Sequence, residues 1–355
     1  TDVAFFLDIS KSDDFTDEMI KESNIWWELK QIKPIRQFDK ELNRIDSLLL
    51  LDKNFYSNLE DRRIILAGEN IGKSKVHFLL AMKMENLREQ KHIENFFKNY
   101  AGLKKRQIKS KTYNNVKTSH IDISGESSIT FAFVKGIALI GNNRLIVEDA
   151  IRQSNVKTSV SDKETFKNVR ETAGKNVTAN LYVNYKKLPE ILRRPVNRQY
   201  ENQLNFIKDF GTWSALDVNI KKDAVLLNGF STGNSNEAEL IDLFRNQEPV
   251  NQEIEKVLPA NTATFLNIGI SNKERYLKNF KDYLLKSDNL DKYNNRLKTI
   301  NNQFGINAEN VIYELLHEEI GIAFLNGNSR NPKENAFIIM KTKGGRFAKN
   351  TLGAL

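Results

Sequence analysis

No cysteine occurs among the 355 residues of this chain, so composition excludes disulfides, thiolate nucleophiles and cysteine-bound metals. Histidine is scarce as well. His77, His92, His120 and His317 lie far apart, and none has a histidine or acidic neighbour at metal-ligand spacing. His317-Glu318-Glu319 lacks the second histidine of a zinc helix, so neither a metal nor any other cofactor is expected. Long apolar runs are missing too: runs such as 48–51 are far short of the roughly 20 residues that cross a bilayer. No Gly-x-Ser-x-Gly turn raises Ser127 or Ser128 into an oxyanion hole. The adjacent acids Asp13 with Asp14 and Glu318 with Glu319 read as solvated helix ends.

What is present describes a globular protein. Hydrophobic residues make up 40% and charged residues 28%, a balance that can bury a core. The length exceeds what one core ordinarily organises, which points to two units. An internal repeat agrees: residues 258–343 read as a second copy of residues 1–85. The opening run 2–9 (DVAFFLDI) is answered by 261–268 (NTATFLNI), both short buried strands. Phe38, Leu42, Ile45 and Leu49 share the helical stripe spacing of Tyr293, Leu297, Ile300 and Phe304. A strand, turn and strand at 64–67 and 76–83 recur at 320–324 and 336–341. The offset of about 257 residues is too long for a solenoid, whose period is roughly 20–50, and suits domain duplication with a truncated second copy.

Periodicity predicts the remaining elements of the first copy. A helix carries Leu87, Ile93, Phe96 and Phe97, followed by a lysine-rich connection and strands at 116–123 and 129–141, the latter turning at Lys135-Gly136. Helices at 145–153 and 162–171, a strand at 177–184, a helix at 186–194, strands at 213–220 and 223–231 and a helix at 236–245 complete it. Tight hairpins without a strict strand-helix-strand rhythm make the class α+β, with antiparallel sheets and packed helices. The expected division is a first unit at 1–250, a linker at 251–257 and a partial second unit at 258–355. Trp26 and Trp27 read as core and rim of the first helix, and Trp213 as the start of a strand. Paired asparagines at 114–115, 142–143, 294–295 and 301–302 suggest turns and exposed faces.

Two features bear on function. Residues 67–74 (AGENIGKS) satisfy a relaxed phosphate-loop pattern with Gly72, Lys73 and Ser74, but such a loop must feed a helix, and 76–82 is strand-like. The net charge of +9 is the second feature. Lys104, Lys105, Arg106, Lys109 and Lys111 cluster beside Tyr113, and Arg193, Arg194 and Arg198 surround Pro195. Cations beside an aromatic can hold a phosphate backbone and stack a base. The first cluster, however, sits on a connection where exposed lysines are ordinary, so a surface-binding patch is expected ahead of nucleic acid.

The segments 24–51 (NIWWELKQIKPIRQFDKELNRIDSLLLL), 113–154 with its FAFVKGIALIGNN hairpin, and 257–270 (VLPANTATFLNIGI) resemble the uncharacterised bacterial family called domain of unknown function 3352. The resemblance implies an amino-terminal membrane anchor and a location outside the cytoplasm, in the periplasm or cell envelope. It carries no catalytic residue over. The expectation is a non-enzymatic extracytoplasmic interaction or scaffold domain whose partner is another envelope protein or an acidic glycan, touching the membrane only through that anchor. The alternative is a phosphate-ligand or nucleotide-binding domain using the loop 67–74.

Overall fold

Alternation of apolar and polar residues in the amino-terminal part of the chain builds one large antiparallel sheet. Its strands are β1 (Phe5–Ile9), β2 (Ile64–Ile71), β3 (Lys75–Lys83), β4 (Ile108–Tyr113), β5 (Val116–Ser124), β6 (Ser127–Val134), β7 (Ile137–Gly141), β8 (Ala179–Asn184), β9 (Trp213–Lys221) and β10 (Ala224–Thr232). They lie in the order β10-β9-β8-β1-β2-β3-β7-β6-β5-β4. This computed structural model describes residues 3–11, 15, 23–31, 36, 39–40, 43, 62–71, 75–124, 127–192, 204–234, 236–326 and 332–353. The chain divides into two units, Thr1–Gly233 and Asn234–Leu355.

Helices pack on both faces of the large sheet. The described ones are α1 (Asn24–Leu29), α2 (Leu87–Leu103), α3 (Arg144–Ser154), α4 (Glu164–Thr172), α5 (Leu188–Leu192) and α6 (Leu204–Lys208). Helix α2 begins at Asn86, whose side chain accepts from the amides of Arg88 and Glu89. It buries Ile93, Phe96 and Phe97 against Ile121, Ile129 and Phe131, with Phe97 stacked on Phe131 at 4.5 Å between ring centroids. On the opposite face α3 buries Ile146, Val147 and Ile151 against Ala132, Val134 and Leu139. Each such side chain contributes about 1.5–3 kcal/mol of burial. Gly141 permits this approach, since a Cβ there would lie 2.8 Å from both Ile146 Cγ2 and Val147 Cγ2. Further along that face α4 sets Phe166 and Val169 against Phe6, Tyr182 and Trp213.

Two-residue turns set the register of the far half of the sheet. Asn114 and Asn115 both adopt left-handed φ values, 45° and 62°, and Lys135 and Gly136 do the same at 49° and 76°. That backbone matches the twist of the strands it joins. The hairpins therefore close at Tyr113 opposite Val116 and at Val134 opposite Ile137.

The second unit holds a three-stranded antiparallel sheet, β11 (Thr262–Gly269), β12 (Glu319–Leu325) and β13 (Ala336–Met340), in that order. Helices α7 (Lys273–Lys286), α8 (Leu290–Phe304) and α9 (Ala308–Leu315) lie between β11 and β12 in the chain, and α10 (Gly345–Gly353) follows β13. The segments matched by spacing adopt one topology: β1-β2-β3 and β11-β12-β13 are both antiparallel meanders. Leu7 faces Leu66 and Leu66 faces Leu80, as Leu266 faces Ile322 and Ile322 faces Ile338.

The protein is α+β, as its sequence pattern indicates, and most elements fall within a few residues of their expected bounds. Trp26 is buried and its neighbour Trp27 exposed, and Trp213 opens β9 within the core. Four expectations change. The lysine-rich connection contains the strand β4, which ends the large sheet and so needs apolar side chains only sparingly. The helix expected at 236–245 is a short 3-10 turn, Leu240–Phe244, whose carbonyls at Leu243 and Arg245 accept from the Asn279 side chain. Residues 251–257 do not form a bare linker: Ile254 is buried, and the amides of Glu253 and Ile254 donate to the Glu319 carboxylate. Glu319 is no solvated helix end but a fully buried member of β12. The acids Asp13 and Asp14, and the helical stripe Phe38, Leu42, Ile45 and Leu49, lie outside the described residues.

Candidate anion-binding groove

The period of two along a strand sorts β4 onto two faces. Lys109, Lys111 and Tyr113 share one face, and the register places His120, Thr118 and Val116 opposite them on β5. Ser128 on β6 stands opposite Asp122 and continues the same face. Helix α3 packs over the Tyr113 and Val116 end. Ahead of its amino terminus the face turns polar, and a groove of about 490 Å³ opens there. Lys109, Lys111, Thr118, His120, Asp122 and Ser128 line it from the sheet, and Asn143, Arg144 and Leu145 from the start of α3.

Hydrogen bonds hold the groove floor. His120 Nε2 lies 2.9 Å from Asp122 Oδ1, and His120 Nδ1 lies 2.8 Å from the Thr130 hydroxyl. In a neutral ring this pattern has Nε2–H donating to Asp122 and Nδ1 accepting from Thr130. Lys109 Nζ donates to Asp122 Oδ2 at 2.8 Å. The hydrogen bond from Lys109, with that from His120, holds the Asp122 carboxyl below its ordinary value. Asn143 caps α3 by accepting from the Leu145 amide at 2.7 Å, and Arg144 Nε lies 3.2 Å from Glu148. The Ser128 hydroxyl donates to the Asn142 carbonyl at 3.2 Å.

This arrangement suits binding better than bond cleavage. Both ring nitrogens of His120 face partners inside the protein, and the Thr130 hydroxyl beside it is completely buried, so no exposed nucleophile is activated by a base here. Among the described residues three cations, Lys109, Lys111 and Arg144, border the groove, Lys109 paired with Asp122 on its floor and Arg144 with Glu148 beside it. The amide ends at the amino terminus of α3 add to the positive field. Among the described residues no group of three or more His, Asp or Glu is placed to hold a metal ion, and no helix is long and apolar enough to cross a membrane.

The expected basic cluster divides. Lys104, Lys105 and Arg106 form the turn that ends α2, the helix packed on the opposite face of the sheet, and none of them lines the groove. Lys109 and Lys111 do line it. Tyr113 packs its ring with the α3 cluster and does not line the groove. Gly72, Lys73 and Ser74 lie outside the described residues, as do Arg193, Arg194 and Arg198. The strands on either side of that loop pair as far as Ile71 opposite Lys75, and 75–83 is strand rather than the helix that a phosphate loop feeds.

Thr118, Asp122 and Arg144 escaped the reading of the sequence, and His120 and Ser128 entered it only to be set aside as metal ligand and nucleophile. A signal for three of them exists. His120 and Asp122 are two apart, and strand geometry puts such a pair on one face. Counting outward from the Asn114-Asn115 turn then brings Lys111 to Thr118 and Lys109 to His120.

Fold and site together define an antiparallel α+β protein with a basic groove on its main sheet. The chain belongs to the family described as Protein of unknown function (DUF3352), whose model matches residues 66–355. No curated protein and no solved structure matches the chain.

Proposed function

We propose that this protein is a non-enzymatic interaction or scaffold domain of the bacterial cell envelope, exposed outside the cytoplasm and held there by an amino-terminal anchor. Its partner is acidic, either another envelope protein or an acidic glycan. The observation that carries the reading is the convergence of Lys109, Lys111 and Arg144 on a groove whose imidazole, His120, is engaged at both nitrogens. Lysine and arginine arranged this way attract anions over several ångströms and speed encounter, an effect that salt weakens. The location rests on the family resemblance and on nothing in the groove itself.

A pull-down from envelope extract tests the binding with two charge-reversal variants. Lys109→Glu with Lys111→Glu should abolish retention of the partner. Lys104→Glu, Lys105→Glu and Arg106→Glu together, at the end of α2, should leave it nearly unchanged. Equal loss in both variants would refute the groove as the contact, and turnover of a substrate by the purified chain would refute the non-enzymatic reading. An export-dependent reporter fused to the natural protein tests the location, with activity of a cytoplasm-only reporter as the contrary result.

A further inference from the structure

Resting on the reading of an acidic partner, we infer that the groove ahead of α3 is a binding site for an anionic sugar, a polyol carrying a carboxylate or phosphate. A site for a bare anion would gain from uniform positive charge. This groove instead keeps a carboxylate, Asp122, on its floor, fixed by Lys109 and His120. A floor carboxylate repels a small anion but accepts hydrogen bonds from sugar hydroxyls. Ser128 and the buried Thr118 lie on the same lining, their hydroxyls donating to the Asn142 and Lys111 carbonyls, so that Ser128 Oγ can still accept from a sugar hydroxyl. The anionic substituent finds its partners in Lys111 and Arg144, with the α3 amino terminus behind them.

Size and composition narrow the ligand further. A volume of about 490 Å³ lies in the range of small-molecule sites and far exceeds one tetrahedral anion. Among the described residues no phenylalanine, tyrosine or tryptophan lines the groove, and the His120 ring is tied down at both nitrogens, which leaves little of the stacking on which sequence-tolerant nucleic-acid binding depends. Among the described residues of the lining, the exposed Leu145 supplies the large apolar surface, enough for the carbon edge of a sugar ring. Recognition that relies on charge and hydroxyl contacts in open solvent is weak per site and gains strength along a polymer.

Calorimetric titration of the whole chain tests this with four probes. A short oligogalacturonate carries carboxylates, a short poly(glycerol phosphate) carries phosphates, a neutral galactose oligomer has hydroxyls without charge, and pyrophosphate has charge without hydroxyls. At least one of the two anionic polyols should bind, and which one identifies the source of the anion. The neutral oligomer and pyrophosphate should bind about tenfold or more weakly. Lys111→Ala with Arg144→Ala should weaken the anionic polyol by about tenfold at unchanged melting temperature, since both side chains are on the surface. Asp122→Asn should weaken the anionic polyol and strengthen pyrophosphate. If pyrophosphate binds as tightly as the polyols and both tighten in Asp122→Asn, the site is a plain anion site and the inference falls. It also falls if neither anionic polyol binds. In that event, a partner still lost from the Lys109→Glu, Lys111→Glu pull-down would leave the acidic-partner reading standing, and a pull-down unaffected by that variant would remove both.

Discussion

The two units carry the same three-stranded meander in opposite surroundings. In the first, Leu66 sits at the centre of the row Leu7, Leu66, Leu80 and is 3% exposed, packed with Phe15 and Phe78, while Leu80 packs against the cluster under α2. Its counterpart in the second, Ile322, is 37% exposed, between Leu266 at 52% and Ile338 at 67%. The outer strands differ in the same sense: β1 pairs onward with β8 and β3 with β7, whereas β11 and β13 are both outermost in their sheet. Identical alternation therefore yields a core row in one place and a surface row in the other. Apolar character at a strand position states a capacity for burial, and the chain packed above it decides whether that capacity is used.

The polar corner of each meander sharpens the contrast. In the first unit Arg63 Nε donates to Asp8 Oδ1 at 2.7 Å across the β1–β2 pair, with the arginine side chain 65% exposed. At the matching corner of the second unit the Asn267 amide donates to Glu319 Oε2 at 2.9 Å, and that carboxylate is fully buried. Burial works to raise the Glu319 carboxyl. Hydrogen bonds from Asn267 and from the amides of Glu253 and Ile254, with the charge of Lys341, outweigh it and hold the group below its ordinary value. Lys341 bridges outward to Glu318 at 2.7 Å and Glu253 at 3.0 Å, and its hydrogen bonds to these two raise its own pKa.

The largest expected effect separates these corners. Glu319→Ala leaves the donors at Glu253, Ile254 and Asn267 without their acceptor and should cost the second unit about 3–5 kcal/mol. Hydrogen exchange, read separately for residues 234–355, measures it. A depressed carboxylate contributes stability above its unfolded value, near 4, and loses it as pH falls through the lower folded value. Protection around β12 in the native protein should therefore decline on acidification below about pH 4, and that decline should be smaller in the variant, with Glu253 and Glu318, whose carboxyls Lys341 also holds low, supplying what remains. Acid-independent protection in the native chain would contradict the assignment.

Next comes the apolar row. Leu66→Ala should destabilise the first unit by about 2–5 kcal/mol, while Ile322→Ala should cost the second less than about 1 kcal/mol. Trp26, Trp27 and Trp213 all lie in residues 1–233, so tryptophan emission in a urea titration reports the first unit alone, with hydrogen exchange for the second. Equal costs would erase the difference drawn between the two rows. A smaller effect tests a close approach inside β1–β2. A Cβ on Gly68 would run into the Phe5 ring, so Gly68→Ala should lower stability by about 1–3 kcal/mol, where alanine in an open strand would raise it. Phe5→Leu should restore part of the loss. Arg63→Ala should cost about 1–3 kcal/mol, less than Glu319→Ala: it strands the buried Asp8 carboxylate, but the arginine end of the pair is open to solvent. A loss comparable to that of Glu319→Ala would make the two corners equivalent after all.

Much of this was legible before the fold. The hairpin at Lys135-Gly136, the amphipathic α2, the buried Trp26 beside the exposed Trp27, and the shared order of the two meanders all follow from spacing along the chain. Strand β4 was not, because Lys109, Lys111 and their neighbours on an outermost strand carry no apolar alternation to read. The groove was hidden for the same reason, since without β4 nothing aligns Lys109 with His120 or Lys111 with Thr118.

By itself the sequence determined what is local: which segments alternate, where asparagine or glycine can take a left-handed turn, and which helices present an apolar stripe. Only the tertiary structure decided what is buried and what converges. Glu319 is enclosed because a segment 66 residues earlier brings its amides to it, and Asp122 meets His120 and Lys109 because two strands pair in one register. Alternation is a property of one strand, whereas burial and a charged groove belong to surfaces that meet only after the chain has folded.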